Sequence, residues 1–295
     1  MRLLLLGGNG QVGRELRRSL PPLGELVVAT RDGRDGDETA DFDAPDSLEG
    51  LVARIAPDVV VNAAAYTAVD RAETDAAAAF RVNAEAPAAL ARACAARDAL
   101  LLHYSTDYVF DGSGTRPYRE ADATAPLGVY GASKLAGEQA IRDSGARHAI
   151  LRTAWVYAAH GKNFLLTMLR LGAEREELRV VADQVGAPTP APWIADATAA
   201  ILQRGVEASG TWHLAAAGQT SWHGFAQAIF EEAHAAGLLA RMPTVLPIAT
   251  RDYPTPAKRP AYSVLDTRRL HAGFGIAPPP WREGLRAVVA ELAAR

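Results

Sequence analysis

The sequence predicts an α/β protein of the Rossmann type, in which a doubly wound parallel sheet carries a smaller, irregular C-terminal substrate-binding lobe. Short apolar runs alternate with helical segments through the first half of the 295 residues, a pattern typical of a parallel sheet covered by helices. A glycine-rich turn follows the first of these runs. After about residue 154 the alternation becomes irregular and prolines accumulate.

The strands are predicted from short, mainly apolar runs, because a strand buried on both faces needs apolar residues on each of them. These runs are 3–6, 26–29, 59–61, 100–104 and 149–153. Helices are predicted where apolar residues recur three and four positions apart. These segments are 11–20, 48–55, 74–97, 130–144, 162–172 and 222–236.

The remaining segments are predicted as loops or exposed surface. Residues 31–38 are polar and read as a loop. Residues 170–179 mix both charge signs, as expected for a solvated helix end. Five prolines in 243–260 predict an extended loop, since the residue before each proline is disfavoured in a helix.

These patterns predict the following organisation. A dinucleotide-binding domain covers 1–154, and segments near 192–216 return to it. A substrate-binding lobe is formed by 155–191 and 217–295.

The charge balance bounds the function. Lys and Arg total 31 and Asp and Glu 34, a formal net charge of −3, which argues against a nucleic-acid binder because phosphate contacts need a basic face. The N-terminal apolar run is too short for a membrane span or a signal peptide, so we expect a cytoplasmic protein that binds no membrane. The single cysteine, Cys94, excludes an internal disulfide and a cysteine-based metal cluster, and we expect it to pack in the core.

The glycine-rich turn fits two registers of a dinucleotide-binding motif. One uses Gly7, Gly10 and Gly13, and the other replaces Gly7 by Gly8. Both provide a tight turn and a close backbone approach to a pyrophosphate, at a helix N-terminus whose amides favour an anion. The alternative is an ordinary glycine-rich turn, but its place after the first strand favours the cofactor.

The end of the second strand predicts which cofactor is used. Thr30 stands where a carboxylate would bind the ribose 2′-hydroxyl of NADH, and Arg31 follows. A guanidinium suits a 2′-phosphate, so we expect NADPH. Asp32 leaves NADH as an alternative cofactor. The alternative interpretation of Arg31 is a solvated loop residue.

Tyr130 and Lys134 lie four residues apart, so they share one face of the predicted helix. A free tyrosine has a pKa of about 10, and we expect the neighbouring ammonium to lower it. Tyr130 would then act as general acid toward a carbonyl that receives hydride. Thr106 lies at the carboxyl end of a predicted strand, where open α/β sheets bind their ligands, and supplies a hydroxyl beside it.

The order of these features resembles the extended short-chain dehydrogenase/reductase family and, within it, the dTDP-4-dehydrorhamnose reductases. The resemblance covers nearly the whole chain. It is carried by the segments 7–13, 62–70, 104–110, 130–134, 152–157, 183–189 and 253–260. The last three, all beyond residue 150, point to the narrower group.

The resemblance implies NAD(P)H-dependent reduction of the 4-keto group of dTDP-4-dehydro-β-L-rhamnose, the last step of the dTDP-rhamnose synthesis that supplies lipopolysaccharide and O-antigen. It implies Thr106, Tyr130 and Lys134 as the catalytic residues. The cofactor would be bound by Gly7, Gly10, Gln11, Val12, Gly13, Thr30, Arg31, Asp41, Phe42, Ala63, Ala64, Ala65, Tyr130 and Lys134. The dTDP-linked 4-keto-6-deoxy sugar would be bound by Thr106, Asp107, Trp155 and Arg259. The chemistry of the last two agrees, because Trp155 offers a flat apolar wall for a sugar and the Arg259 guanidinium could meet the substrate diphosphate.

The sequence departs from the family at a Mg²⁺ site that some members form at a dimer contact. Glu15 matches one acidic ligand, but 190–193 reads Pro-Ala-Pro-Trp where another acid is expected. Since Mg²⁺ prefers carboxylate oxygens, we expect no metal site and interpret Glu15 as a solvated helix residue. A homodimer remains the default expectation.

Two alternatives use the same fold. One is another nucleotide-sugar epimerase, dehydratase or reductase of the family, and the other is a non-catalytic regulatory subunit. A dehydratase needs a further carboxylate after Asp107, where this chain has Tyr108. The intact Thr106, Tyr130 and Lys134 argue against the regulatory subunit. The histidines, His103, His213, His223 and His271 among them, show no metal spacing and are assigned to packing or the surface.

Overall fold

The computed structural model describes residues 1–295, apart from the side chain of Asp35. Its strands, in chain order, are β1 Arg2–Leu6, β2 Glu25–Thr30, β3 Glu38–Thr39, β4 Val59–Asn62, β5 Leu100–Thr106, β6 His148–Thr153, β7 Val156–Tyr157, β8 Glu177–Val181, β9 Val185–Gly186, β10 Thr189–Pro190, β11 Gly210–His213, β12 Thr220–Ser221 and β13 Thr244–Ile248.

The helices cover the sheet and build a second layered unit. They are α1 Gln11–Ser19, α2 Asp46–Ile55, α3 Val69–Ala72, α4 Ala76–Phe80, α5 Ala86–Ala95, α6 Val129–Asp143, α7 Phe164–Glu174, α8 Ala191–Arg204, α9 Trp222–Ala235, α10 Arg268–Phe274 and α11 Trp281–Ala293. One turn of π-helix, Arg81–Glu85, joins α4 to α5. Among the described residues, no helix is both long and apolar enough to cross a membrane.

The central sheet has seven parallel strands in the order β11-β6-β5-β4-β1-β2-β3. The prediction of a doubly wound parallel sheet is therefore confirmed. The strand order reverses between β1 and β4, and ligands of open α/β sheets bind at such a switch point. The glycine-rich turn after β1 and the alanines after β4 lie on either side of it.

Helices cover both faces of this sheet because its strands are apolar on both sides. One core joins the sheet to α1 and α8 through residues such as Leu16 and Ile194. The other joins it to α2, α5 and α6 through Leu48, Leu90 and Ile141. Cys94 is buried in this second core, as expected. Although β11 and α8 come late in the chain, they belong to the central layers.

A separate core holds the second lobe together. It is formed by α7, α9, α11 and the parallel pair of β8 and β13, with Phe225 and Phe230 at its centre. Two predictions for this region are wrong. Residues 177–179, expected as part of a charged helix end, instead begin β8, because Leu178 and Val180 alternate with exposed residues. Residues 244–248, expected as loop, form β13, which tolerates Pro247 because its one partner in the sheet is β8.

Candidate active site

The glycine-rich turn brings the N-terminus of α1 against the end of β4. Gly7 has a φ of +77°, and a Cβ atom there would lie 2.7 Å from the amide nitrogen of Ala64. A Cβ atom on Gly13 would lie 2.0 Å from the carbonyl oxygen of Gly7. Side chains at either position would therefore separate the turn, the helix and β4. This close approach leaves a backbone-lined cradle whose helix N-terminus suits a pyrophosphate, and it favours the register of Gly7, Gly10 and Gly13.

The residues expected at the adenosine end lie at the end of β2 or follow it. Thr30 is buried, whereas the side chain of Arg31 is 75% exposed and forms an ion pair with Asp43. Asp41 accepts a hydrogen bond from the amide of Asp43 at 3.0 Å. The side chain of Phe42 packs into the core, so Phe42 would contact a ligand at this end of the site through its backbone. A 2′-phosphate would compete with the Asp43 carboxylate for Arg31.

Ala63, Ala64 and Ala65 follow β4 and are half-buried opposite the glycine turn. Their path is fixed by Asn62, whose side-chain oxygen accepts a hydrogen bond from the amide of Ala64 at 3.1 Å. Because these side chains are small, the end of β4 leaves room beside the glycine turn for a flat ring.

The predicted catalytic hydroxyl lies at the end of β5. Thr106 accepts a hydrogen bond from the amide of Tyr108 at 3.2 Å and donates one to Asp107 at 3.0 Å. Helix α6 can approach this point closely because Gly131 has no side chain. A Cβ atom there would lie 2.2 Å from the carbonyl oxygen of Tyr108. The structure thereby places Tyr130, in the first turn of α6, against Thr106.

The phenol of Tyr130 does not behave as the sequence predicted. Burial raises its pKa to about 12, the charge of Asp107 adds to this rise, and the Thr106 hydroxyl acts in the opposite direction. The expected lowering of the Tyr130 pKa by Lys134 is therefore wrong. Its amine donates to the carbonyl oxygen of Tyr104 at 2.6 Å and lies 3.2 Å from the ring of His103. Tyr130 is consequently a protonated acid at neutral pH.

Lys134 itself is strongly perturbed. It is 2% exposed, and burial lowers its pKa to about 8, with a smaller opposing effect of Glu138. The carboxylate of Glu138 is bound in turn by Arg152 at 2.8 and 2.7 Å. Near neutrality the amine is therefore poised between its charged and neutral forms.

Asp107 is a buried carboxyl next to the hydroxyl of Thr106. Burial raises its pKa to about 6, against the lowering effects of the nearby Ser263, of Thr106 and of the backbone. It is 2% exposed. A carboxyl kept this close to its protonated form can both donate and accept hydrogen bonds with a sugar hydroxyl.

Trp155 is half-buried at the junction of the two lobes and has a φ of +48°. One face of its indole stacks on Trp222, with ring centroids 3.5 Å apart and planes 4° from parallel. The backbone of Gly186 also packs against the indole. The indole predicted to form a flat wall for the sugar is therefore covered by Trp222 on one face. The positive φ of Trp155 is a strained backbone conformation, which indicates that the surrounding structure holds the ring in place.

Arg259, predicted to meet a diphosphate, is bound within the chain. It donates to both carboxylate oxygens of Asp70, at 3.0 and 2.8 Å, and to Thr255. Hydrogen bonds from Arg259 lower the pKa of Asp70. The pair fastens the proline-rich segment of the second lobe to α3, and the side chain of Arg259 is 22% exposed.

A second link between the lobes lies at the other end of the cradle. Asn163 caps α7 and donates from its side chain to the side-chain oxygen of Gln11 at 2.8 Å. Glu15 accepts from His160 at 2.8 Å and its side chain is 12% exposed. The interpretation of Glu15 as a solvated residue is therefore wrong. Among the described residues, no cluster of three or more acidic, histidine or cysteine side chains could hold a metal ion.

Several residues at the site were missed from the sequence. They are Asn62, Asp70, His103, Trp222 and Ser263. A signal existed for two of them, because Asn62 directly follows a strand predicted to be buried, His103 lies within another, and buried polar groups need partners. The register pairs them directly across β4 and β5. The other three lie far from their partners in sequence, and no local pattern marks them.

Residues 1–294 match the family model described as the RmlD substrate binding domain. A dTDP-4-dehydrorhamnose reductase of Burkholderia thailandensis is 51% identical over 301 residues, covering 99% of each chain. One of Salmonella typhimurium is 44% identical over 295 residues, covering 99% of this chain and 98% of the relative.

Solved structures agree with these relatives. A dTDP-4-dehydrorhamnose reductase of Bacillus anthracis, solved in complex with NADP, has a TM-score of 0.89 at 34% identity and covers 98% of this chain and 99% of its own. The UDP-glucose 4-epimerase of Thermus thermophilus has a TM-score of 0.82 at 21% identity, over 100% of this chain and 99% of its own. At that identity the likeness concerns the fold alone.

Proposed function

Because the chain belongs to the family described as the RmlD substrate binding domain, we propose that it catalyses the NAD(P)H-dependent reduction of dTDP-4-dehydro-β-L-rhamnose to dTDP-L-rhamnose. The observation that carries this proposal is the meeting of Thr106 and Tyr130 beside the glycine cradle, in a chain similar over its whole length to such reductases.

Tyr130 is the proton donor in this proposal. A nicotinamide cofactor, when bound in the cradle, would supply the hydride that reduces the 4-keto carbon. Thr106 would orient the carbonyl oxygen, and Tyr130 would donate its proton to that oxygen as negative charge develops there. Lys134, in its ammonium form, would stabilise the phenolate that remains.

The cofactor contacts are proposed on the geometry of the cradle. Gly7, Gly10, Gln11, Val12 and Gly13 would hold the pyrophosphate, because each lies in the turn or the first residues of α1. The other proposed contacts are Thr30, Arg31, Asp41 and Phe42 for the adenosine and Ala63, Ala64 and Ala65 for the nicotinamide. The exposed guanidinium of Arg31 favours NADPH over NADH.

The sugar nucleotide would lie between the lobes. Asp107 and Trp155 would contact the sugar. Arg259 would bind the diphosphate by giving up some of its hydrogen bonds to Asp70. We also propose the division into a dinucleotide-binding domain of 1–154 with 192–216 and a substrate lobe of 155–191 with 217–295. A cytoplasmic homodimer completes this assignment.

The test is the absorbance of the reduced nicotinamide in the presence of protein, dTDP-4-dehydrorhamnose and either NADPH or NADH. We expect a loss of signal that requires both protein and sugar and is faster with NADPH. No loss with either cofactor would refute the reductase. Isomerisation of a nucleotide sugar without net cofactor consumption would instead identify an epimerase, and cofactor binding without any conversion a regulatory subunit.

Replacing Tyr130 by Phe tests the role of the acid. We expect turnover to fall by about 10²-fold or more with cofactor affinity nearly unchanged, because the cradle is untouched. Tyr157→Phe is the matched control, since the hydroxyl of Tyr157 is buried without a hydrogen-bond partner among the described residues and lies in the second lobe. Near-normal turnover of Tyr130→Phe would contradict its assignment as acid.

A further inference from the structure

A row of buried polar groups connects the end of β4 to Lys134. The side-chain oxygen of Asn62 accepts from the amide of Ala64 at 3.1 Å, and its side-chain nitrogen lies 3.0 Å from Nδ1 of His103. Nε2 of the same ring lies 3.2 Å from Nζ of Lys134. Asn62, His103 and Lys134 are at most 2% exposed, so these contacts are made without water from the surface.

His103 cannot satisfy both neighbours in the same way. Burial and the nearby charge of Lys134 hold its pKa well below the usual range, so the ring is neutral and has one N–H group and one acceptor nitrogen. The Asn62 amide and the Lys134 ammonium are both donors. If both pointed a hydrogen at the ring, one of them would meet the ring N–H group, and two donors would face each other.

Two arrangements resolve this conflict. When Lys134 is a neutral amine, Nε2–H can donate to its lone pair while Nδ1 accepts from Asn62, whose oxygen keeps the Ala64 amide. When Lys134 is an ammonium, Nε2 must accept, so Nδ1 carries the proton and needs the oxygen of Asn62. The amide must then rotate, and the Ala64 amide loses its acceptor.

We propose that His103 is a positioning residue for Lys134, and that its neutral ring changes tautomer when Lys134 gains or loses a proton. This inference rests on the proposed function of Tyr130 and Lys134 only for its role in catalysis. One proton from the solvent balances the change. The Nε2 proton passes to Lys134, and the incoming proton is bound at Nδ1, so the ring remains neutral throughout.

The remaining charges near this row are already compensated. From its own helix, Lys134 faces Glu138, which Arg152 of β6 and Arg142 bind. Tyr130 lies one turn before it and is protonated at neutral pH. Asp107, beyond the end of β5, acts on the phenol of Tyr130 and not on Lys134. From β4 the row receives the uncharged Asn62.

The consequence for the reaction is that Lys134 stays aimed in both protonation states. An ammonium beside an unsuitable donor would turn away, and its stabilising effect on a phenolate falls with distance. With His103 able to accept or donate, the Tyr104 carbonyl and the ring hold the amine in one place through the proton cycle.

The tautomer can be observed directly, without turnover. Long-range proton–nitrogen correlation spectra of protein labelled in its histidine rings distinguish Nδ1–H from Nε2–H. Between about pH 6 and about pH 10, we expect His103 to pass from Nδ1–H to Nε2–H with a midpoint near the pKa of Lys134, about 8. Because one proton is involved, the ratio of tautomers should change about tenfold per pH unit.

His213 is the internal control. Its ring is also fully buried, burial lowers its pKa to about 3, and its Nδ1 faces the carbonyl oxygen of Asp266 at 3.2 Å. It should therefore remain Nδ1–H at every pH. His103→Gln removes the signals of one of these two buried rings and so assigns them, and His213→Gln assigns the other ring if the first variant does not fold.

Asn62→Asp provides the matched variant. Its carboxylate offers only acceptors to Nδ1, so His103 should stay Nδ1–H across the range and the switch should disappear. A single His103 tautomer throughout the wild-type titration would overturn the inference even in an active reductase. Absence of reductase activity would refute the proposed function and leave this spectroscopic test unchanged.

Discussion

Replacing Asp107 by Asn should stabilise the protein, and only above the acid range. The carboxyl binds its proton more tightly in the folded chain, where its pKa is about 6, than in the unfolded chain, where the usual value is 3.8. A raised pKa of this kind contributes stability at low pH that is lost as the pH rises through about 6. The gap corresponds to about 3 kcal/mol, since one pKa unit is about 1.4 kcal/mol.

An asparagine has nearly the same shape and no charge to bury, so it avoids this loss. With an unfolding entropy of about 2.1 cal/mol/K per residue, 3 kcal/mol corresponds to about 5 °C in Tm for a chain of this length. We therefore expect the Tm of Asp107→Asn to exceed that of the wild type by up to about 5 °C at pH 8. At about pH 3 the two should coincide, because the wild-type carboxyl is then protonated in both the folded and the unfolded chain.

The assay is thermal unfolding of both proteins across this pH range, with Asp122→Asn as a control of opposite sign. Hydrogen bonds from Arg116 lower the pKa of Asp122 to about 2, so its loss should destabilise the protein above the acid range. A difference for Asp107→Asn that is independent of pH, or a lower Tm at pH 8, would refute the reasoning. Asp107→Asn should also lose reductase activity, because the side chain proposed to contact the sugar then carries no charge.

Two further predictions concern the cofactor cradle. Arg31→Ala should lower kcat/KM for NADPH by about tenfold or more while leaving that for NADH unchanged, because a lost charge-assisted contact to a 2′-phosphate is worth about 1.5–3 kcal/mol; an equal loss with both cofactors would contradict the proposed contact. Gly13→Ala should abolish cofactor binding and lower the Tm, because its Cβ atom would lie 2.0 Å from a backbone oxygen. Gly50→Ala, a helical glycine with nothing within 4 Å of the added atom, should instead stabilise by about 0.5–1 kcal/mol, and a similar loss of cofactor binding in both variants would contradict the steric argument.

The first half of the fold was predictable because its signals are local. Each buried strand is a short apolar run, and each covering helix repeats its apolar residues within a few positions. The glycine turn is also local, since Gly7 and Gly13 are needed within one strand–turn–helix unit. For these elements the sequence and the structure agree on position to within a few residues.

The second lobe could not be predicted in the same way, because its pairing partners are far apart in the sequence. Residues 177–181 and 244–248 are a charged segment and a proline-containing segment, and they become strands only when they pair with each other. Tertiary context overrides such weak local preferences. The proline rule holds for a central strand, but β13 has one partner and its other side needs no amide donor.

The site shows the same limit at the level of single residues. Thr106, Tyr130 and Lys134 could be named from spacing and position along the chain. The direction of the Tyr130 pKa could not, because it depends on burial and on where the Lys134 amine is held. The partner of Arg259 likewise lies 189 residues away, and only the folded chain brings Asp70 to it.

Gln11 belongs to two structures at once, since it stands in the proposed phosphate cradle and also receives the Asn163 side chain that caps α7. A ligand that draws on Gln11 changes the free energy of the contact between the lobes, and by thermodynamic reciprocity the position of the second lobe changes the affinity for that ligand by the same factor. Cofactor and sugar need not touch for each to alter the binding of the other. The 2.8 Å contact between Gln11 and Asn163 is the place at which such a coupling between the two lobes would act.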